Sequence, residues 1–205
     1  MPPVRAVVFD IGGVLLDWDP RYLYRTLLPD EEAVERFLAE VCTDAFNAEL
    51  DAGRDFDDAC TELAARHPDQ ADLVHAWKRQ ADMIRGEIEG TAAVVARLVE
   101  AGVPRYLLTN MPRWVFDERV AAYPVLQRFG GAVVTGDEGI LKPEPAVFEL
   151  VLSRFELTPG EALFVDDKAA NVEAAEAVGF VGHVFVDATT LERTLVDLDL
   201  LQVCY

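Results

Sequence analysis

The chain has 205 residues, of which 51% are hydrophobic, so it is long enough for one ordinary domain with an insertion and a sizeable core. Its formal net charge is -19, from 37 acidic and 18 basic residues. A surface this acidic repels nucleic acid and anionic membranes, so neither is expected as a partner. A small anionic substrate is not excluded, because a bound divalent cation can reverse the local field.

Targeting and cysteine signals are weak. No stretch is apolar enough to cross a bilayer, and residues 1–5 lack the blocks of a secretory signal, so a cytoplasmic protein is expected. The three cysteines, Cys42, Cys60 and Cys204, are odd in number and form no Cys-x-x-Cys pair. The sequence therefore predicts neither a disulfide framework nor a thiolate zinc site. It does not indicate an oligomeric state.

The first predicted element is a strand over residues 4–10. It is a short apolar run that ends on Asp10 and is followed by Gly12 and Gly13. A run of this kind is typical of a strand buried on both faces of a sheet.

A helical segment is predicted next, from about Trp18 to Gly90. Apolar residues recur there at helical spacing, and Asp30 stands in an N-cap position before two glutamates. No strand signal interrupts the segment, so the pattern predicts a small helical bundle. The apolar positions include Val34, Phe37, Leu38, Phe56, Leu63 and Trp77.

From Thr91 onward, helix and strand patterns alternate. Strands are predicted over 106–110, 132–135, 162–166 and 183–187, with amphipathic helices between them. Such alternation predicts an α/β fold with a doubly wound, Rossmann-like parallel sheet. Residues 1–16 and 91–205 would form this α/β core domain, and residues 17–90 would be a helical cap domain inserted after the first strand.

Polar residues gather at the carboxyl ends of the predicted strands. Asp10 ends the first strand, Thr109 and Asn110 end the next, and Asp166-Asp167 end a later one. Ligands bind at this edge of open α/β sheets. Lys142 adds a cation in the loop that leads to Pro143. Three strand ends of this composition indicate a functional site.

These residues resemble the motifs of the haloacid-dehalogenase-like hydrolase superfamily. The motifs stand in family order and span nearly all of the α/β portion, and each alone is weak evidence. The helical insertion looks like the mobile cap of that family and is expected to pack over the strand ends. The motifs read Val7-Val8-Phe9-Asp10-Ile11-Gly12-Gly13-Val14-Leu15, Leu107-Leu108-Thr109-Asn110, Leu141-Lys142-Pro143 and Phe164-Val165-Asp166-Asp167-Lys168-Ala169-Ala170-Asn171.

The resemblance implies a metal-assisted nucleophile. Asp10 would attack phosphorus and form an aspartyl-phosphate. A carboxylate is repelled by a phosphate dianion unless a cation lies between them, and Mg²⁺ supplies that charge through hard oxygen ligands. The implied ligands are Asp10, Asp167, the backbone carbonyl of Gly12, and Asp166 directly or through water.

The resemblance also assigns roles to the polar residues around this metal. Lys142 would neutralise charge and hold the nucleophile, and the Thr109 hydroxyl and Asn110 amide would bind the phosphoryl oxygens. Asn171 would orient the lysine or a metal-bound water. The Lys142–Pro143 bond is expected to be cis, because a tight turn must aim the lysine and X-Pro bonds adopt cis at low cost.

Position 12 departs from the pattern of most phosphatases in this superfamily. They carry a second aspartate two residues after the nucleophile, which protonates the leaving group and then activates water, whereas this chain has Gly12. Acid–base help of this kind contributes about 10²–10⁴-fold. The rate should therefore depend steeply on leaving-group pKa, unless Asp17 or Asp19 in the following loop supplies the acid.

Three functions are compatible with this departure. The first is an Mg²⁺-dependent phosphatase for small phosphorylated molecules such as a sugar 1-phosphate. Family members that resemble glucose-1-phosphate phosphatases also have glycine at this position, and we favour this function. The second is a 2-haloacid dehalogenase, in which the same aspartate attacks carbon, although such enzymes usually lack the paired acids. The third is a non-catalytic metal- or phosphate-binding regulatory protein.

Overall fold

A computed structural model describes residues 3–202 of the chain. Five strands form a parallel sheet in the order β5-β4-β1-β6-β7, and two short strands, β2 and β3, pair antiparallel in a separate ribbon. The strands are β1 Ala6–Phe9, β2 Leu16–Trp18, β3 Ile84–Glu87, β4 Arg105–Thr109, β5 Ala132–Val134, β6 Ala162–Asp166 and β7 Val181–Val184.

Eleven α-helices are present among the described residues, together with four short 3₁₀ turns. Five of the helices lie between β2 and β3, and they are α1 Arg21–Tyr24, α2 Glu31–Glu40, α3 Asp44–Asp51, α4 Phe56–Arg66 and α5 Ala71–His75. The other six are α6 Thr91–Glu100, α7 Arg113–Ala122, α8 Thr135–Glu138, α9 Pro145–Arg154, α10 Ala169–Val178 and α11 Ala188–Asp197.

The central strand β1 explains why the sheet is covered on both faces. Its four side chains are fully buried, and successive side chains of a strand point to opposite faces. Val7 and Phe9 belong to the apolar cluster that contains residues of α6 and α11, whereas Ala6 and Val8 pack with residues of α9 and α10. The fold is therefore the α/β, doubly wound parallel sheet that the sequence predicted.

The segment between β2 and β3 has an apolar core of its own. Tyr24 packs against Phe37 and Trp77, with ring centroids 4.7 and 6.0 Å apart. These side chains belong to a cluster of buried residues drawn from positions 23–83. Asp30 caps α2 as predicted, since its side chain accepts a hydrogen bond from the Ala33 amide at 2.8 Å.

Two local predictions of strands need correction. The ribbon strand β3 lies inside the segment for which the sequence predicts only helices. The last strand of the sheet is Val181–Val184 rather than 183–187. It ends early because Asp187 is the N-cap of α11, where its carboxylate accepts a hydrogen bond from the Thr190 amide, and Val186 before it is exposed.

None of the helices in residues 3–202 combines the length and the apolar character that crossing a membrane requires. Cys42 and Cys60 are buried free thiols. Cys204 lies outside the described residues.

Candidate active site

Asp10 lies at the middle of the carboxyl edge of the sheet, because it directly follows the central strand β1. Its side chain is largely buried, and its Oδ1 accepts a hydrogen bond from the Ile11 amide at 2.7 Å. Burial raises the pKa of the Asp10 carboxyl to about 6, although Lys142 opposes the rise. Asp10 therefore depends on a neighbouring cation to remain ionised at neutral pH.

Lys142 provides such a cation between two acids. Its Nζ lies 2.8 Å from Asp10 Oδ1 and 2.7 Å from Asp166 Oδ2, and both the lysine and Asp166 are buried. Burial by itself lowers the pKa of the Lys142 ammonium, but the two carboxylates more than offset this, and its pKa is raised. Lys142 is therefore charged at neutral pH and fixes the position of Asp10.

Three carboxylates converge at this edge as predicted. Asp10, Asp166 and Asp167 each place one oxygen within 4.8 Å of the others. Burial, and next the charge of Asp166, raises the pKa of Asp167. When all three acids are ionised, Lys142 neutralises only one of their charges. A set of oxygen donors with excess negative charge fits a hard divalent cation such as Mg²⁺.

Asp166 is held by more contacts than either other acid. Asn171 Nδ2 donates to its two oxygens at 2.9 and 3.0 Å, and the Lys168 amide donates to Oδ1 at 2.9 Å. Asn171 was expected to orient the lysine or a metal-bound water. Its amide instead orients Asp166, which in turn binds Lys142. Asn171 therefore acts on the lysine through Asp166.

The residues at the end of β4 divide into two roles. Thr109 is almost fully buried, and it lines the cavity that contains Asp10. The Asn110 side chain donates to the carbonyl of Lys142 and accepts from its amide, both at 3.0 Å. It therefore holds the Lys142 loop, and because Asn110 also lines the cavity, its contact with phosphoryl oxygens stays a prediction. The Lys142–Pro143 bond is cis, as predicted.

A cavity of about 230 Å³ lies over this group of residues. Its floor comes from the sheet edge and includes Asp10, Gly12, Thr109, Lys142, Asp167 and Asn171. Its wall comes partly from the segment between β2 and β3, through Asn47, Leu50, Asp51, Phe56, Trp77 and Gln80. The inserted helices thus lie over the carboxyl ends of the strands.

A family model for haloacid dehalogenase-like hydrolases matches residues 4–179, a range that holds all the sequence motifs. The chain belongs to the haloacid dehalogenase-like hydrolases. It is therefore an enzyme of the hydrolase class, and its motif residues are the ones that meet at the sheet edge.

Curated relatives and solved structures agree with this membership. Sesquiterpene phosphatase astK of Aspergillus oryzae is 28% identical over 192 residues, which cover 92% of this hydrolase and 94% of the relative. A phosphoglycolate phosphatase of Salmonella paratyphi A is 26% identical, with 86% of this chain and 79% of the relative covered. A HAD family enzyme of Bacteroides thetaiotaomicron, solved with magnesium and inorganic phosphate, shares the fold at a TM-score of 0.72 and 18% identity, with 92% and 98% of the two chains covered.

The two acids that the sequence offered as alternatives for the missing acid at position 12 lie outside the cavity of the hydrolase. Asp17 accepts a hydrogen bond from the Tyr22 hydroxyl at 2.8 Å, and Asp19 accepts from the Arg21 amide at 2.9 Å. Neither side chain lines the cavity that contains Asp10. The structure therefore gives no support to either residue as the acid.

The cavity wall of the hydrolase contains a buried acid and a buried arginine that were not among the residues predicted from the sequence. Asp51 is 8% exposed and Arg119 is 7% exposed. Burial raises the pKa of Asp51 to about 7 and lowers the pKa of Arg119 to about 10, and each charge opposes the shift of the other. Asn47 donates to Asp51 at 2.8 Å, and Arg119 donates to Gln80 at 3.3 Å. Both residues lie on helices, where the sequence pattern does not indicate whether a charged side chain is buried.

Asp51→Asn is expected to stabilise the hydrolase at alkaline pH. The pKa of Asp51 rises from 3.8 to about 7 on folding, so the folded chain holds an extra proton between these values. The stability that the Asp51 carboxyl contributes is fully present below about pH 4 and is lost as the pH rises through about 7. Asparagine does not ionise, so the variant avoids that loss. The free energy of unfolding of the variant at about pH 8 should therefore exceed that of the wild type by about 1–4 kcal/mol.

Urea unfolding at about pH 5 and about pH 8 measures this effect, and the difference between variant and wild type should shrink toward the lower pH. Asp72→Asn is the matched control, because Asp72 is exposed and its removal changes the net charge by the same amount. Equal stability of Asp51→Asn and wild type at the higher pH would contradict the prediction.

Gly13→Ala is expected to weaken metal binding by the hydrolase. Gly13 has a φ of 71°, and a Cβ there would lie 2.6 Å from Asp167 Oδ2, so the carboxylate would have to move. A carboxylate moved out of the three-acid cluster would be a poorer ligand, so the affinity for added Mg²⁺ should fall about 10–100-fold. Calorimetric titration of the substrate-free protein with Mg²⁺ measures the change.

Gly102→Ala separates this contact from backbone strain. Gly102 has a φ of 68° but no atom within 4 Å of the added Cβ, so it carries the strain without the contact. Its Mg²⁺ affinity should equal that of the wild type. If both alanine variants bind Mg²⁺ as the wild type does, Asp167 does not need its observed position for binding.

Proposed function

We propose that this hydrolase is an Mg²⁺-dependent phosphatase that cleaves phosphoric monoesters of small molecules through an aspartyl-phosphate on Asp10. The observation that carries the proposal is the convergence of Asp10, Asp166 and Asp167 within 4.8 Å, with Lys142 between two of them. We also propose that residues 17–90 act as a cap domain on a core of residues 1–16 and 91–205, since helices of this segment roof the cavity.

The chain's own residues divide the work of binding and attack. The Asp10 carboxylate forms the new bond to phosphorus while Lys142 keeps it oriented. The Thr109 hydroxyl, buried at the cavity floor, donates to a phosphoryl oxygen. Asp10, Asp167 and the Gly12 carbonyl would hold the cation, with Asp166 beside them. Bound Mg²⁺ supplies the positive charge that lets carboxylate and phosphate approach each other.

The curated relatives support a phosphatase activity. The residues of the cavity wall indicate which kinds of substrate would fit. Asp51, Gln80 and Arg119 offer hydrogen-bonding groups, whereas Trp77 and Trp114 offer aromatic faces. A sugar phosphate would use the polar groups, and the similarity to sesquiterpene phosphatase astK adds a terpenoid phosphate to the candidates. A phosphate ester whose organic group is of modest size would suit either the polar groups or the aromatic faces.

The three-acid cluster favours a phosphatase over the two alternatives. A 2-haloacid dehalogenase attacks carbon without a metal, so it has no need for excess negative charge beside the nucleophile. A non-catalytic binding protein has no need for a lysine that fixes the nucleophile, yet Lys142 contacts Asp10 directly.

A panel of substrates tests the proposal. It would contain 4-nitrophenyl phosphate, glucose 1-phosphate, phosphoglycolate, farnesyl phosphate and 2-chloropropionate, each assayed with Mg²⁺ and with EDTA. We expect phosphate release that falls at least about 100-fold in EDTA, and no chloride release. Asp167→Asn should lower the apparent Mg²⁺ affinity. Chloride release without metal, or phosphate release unaffected by EDTA, would contradict the proposal.

A further inference from the structure

The cavity contains one acid that the proposed function leaves without a role. Among the described residues that line it, the carboxyl groups are those of Asp10, Asp51 and Asp167. Asp10 and Asp167 belong to the three-acid cluster, so Asp51 is the remaining one. It reaches the cavity from α3, on the side opposite the sheet edge. The usual acid position of the family is Gly12, which has no side chain.

The end of α3 that carries Asp51 is docked firmly on the core. The Thr135 hydroxyl donates to the Asp51 carbonyl at 2.7 Å and accepts from the Met111 amide at 3.2 Å. Two residues further on, Gly53 lies so close to the core that an added Cβ would be 2.3 Å from the Gly136 carbonyl oxygen. These contacts fix the backbone, and the Asn47 hydrogen bond fixes the carboxyl group. Asp51 is thereby pre-positioned rather than free to move.

The surroundings of Asp51 favour a group that exchanges a proton near neutral pH. Burial raises its pKa to about 7, the charge of Asp10 adds to the rise, and Arg119, Lys168 and Lys142 oppose it. These are the charged groups that face Asp51 from the sheet edge and from α7. A general acid is most effective when its pKa lies near the operating pH.

We propose that Asp51 donates the proton to the leaving oxygen of the substrate, in place of the acid that Gly12 lacks. This inference rests on the proposed phosphatase function. In the first step Asp10 forms a bond to phosphorus, the ester P–O bond breaks, and the Asp51 proton passes to the departing oxygen to give the alcohol. In the second step, water attacks phosphorus, the bond between phosphorus and the Asp10 oxygen breaks, and Asp51 takes a proton from the water. Phosphate then leaves, and both aspartates are restored.

The assignment of Asp51 as the acid reverses the expectation, based on Gly12, that the rate depends steeply on leaving-group pKa. With Asp51 as acid, the wild-type rate depends only weakly on leaving-group pKa, whereas without any acid it would depend steeply. Asp51→Asn should therefore create the steep dependence. Asparagine keeps an oxygen that can accept from Asn47, so the local structure is retained.

The experiment measures kcat/KM for wild type, Asp51→Asn and the control Asp17→Asn on a series from 2,4-dinitrophenyl phosphate to alkyl phosphates. For Asp51→Asn we expect a loss of at least about 100-fold on alkyl phosphates and of less than about tenfold on the dinitrophenyl ester. Asp17 accepts from Tyr22 outside the cavity, so its variant should follow the wild type. Wild-type activity on alkyl phosphates should decline above about pH 7, and activity on the dinitrophenyl ester should not.

Any other result contradicts either the role of Asp51 or the proposed phosphatase function. A loss in Asp51→Asn that is equal on all esters, or no loss, overturns the role of Asp51 and leaves the phosphatase function intact. The wild-type pH profiles need no variant, so equal profiles on alkyl and dinitrophenyl esters overturn the role even if Asp51→Asn does not fold. A wild-type protein that hydrolyses none of the esters overturns the proposed function, and the role of Asp51 with it.

Discussion

Asp10→Asn is expected to lower kcat for phosphate esters by at least about 10⁴-fold, because loss of a nucleophile removes the covalent route altogether. The asparagine amide has the same shape as the carboxylate but does not attack phosphorus. Its oxygen can still accept from the Ile11 amide, so the site is preserved. Steady-state kinetics with the best ester of the panel measures the change.

The variant should remain folded, and it should be as stable as the wild type or more so. Burial raises the pKa of Asp10 to about 6, so its ionised form is disfavoured in the fold, and a neutral amide avoids this cost. Asp19→Asn is the matched control, because Asp19 lies outside the cavity and its loss removes the same charge. An Asp10→Asn variant with more than about 1% of wild-type kcat would contradict the assignment of the nucleophile.

Lys142→Met is expected to destabilise the protein by about 3–5 kcal/mol and to abolish turnover, because it leaves buried carboxylates without their cation. Lys142 contacts both Asp10 and Asp166, and Asp166 is completely buried. Methionine retains the length and apolar character of the stem, so lost charge is the main change. Urea unfolding in EDTA measures the loss.

The destabilisation of the Lys142→Met variant should depend on pH and on Mg²⁺. Without Lys142 the pKa of Asp10 would rise further, so the folded variant would bind more protons than the unfolded chain, and stability would fall as pH increases. The loss should therefore be larger at about pH 8 than at about pH 5, and Mg²⁺ should restore part of it. Lys78→Met, at an exposed lysine outside the cavity, should show neither effect. A Lys142→Met variant as stable as the wild type would show that the acids do not need this cation.

Much of the fold and the polar residues at the sheet edge could be predicted because they depend on local patterns and on one rule of topology. The apolar run before Asp10 predicts a buried strand, and the alternation after Thr91 predicts a parallel sheet. Carboxyl ends of parallel strands meet at one edge, so Asp10, Asp166 and Asp167 had to converge. The family motifs then pointed to Lys142.

The remaining features depend on contacts between segments that are distant in sequence. β2 and β3 have only three and four residues and are separated by the helical segment, so neither gives a periodic signal. Asp51 and Arg119 lie on helices, and their burial arises only where α3 and α7 face the same cavity. The engagement of Asn110 with the Lys142 backbone likewise depends on how two loops meet.

Borohydride trapping of the covalent intermediate tests the central claim most directly. Protein mixed with a rapidly cleaved ester and Mg²⁺ is quenched and reduced, which converts an aspartyl-phosphate to homoserine, and peptides are then sequenced by mass spectrometry. We predict homoserine at position 10, dependent on both substrate and Mg²⁺, and none in Asp10→Asn. Turnover with no homoserine at position 10, or with homoserine at another aspartate such as Asp51, would contradict the account.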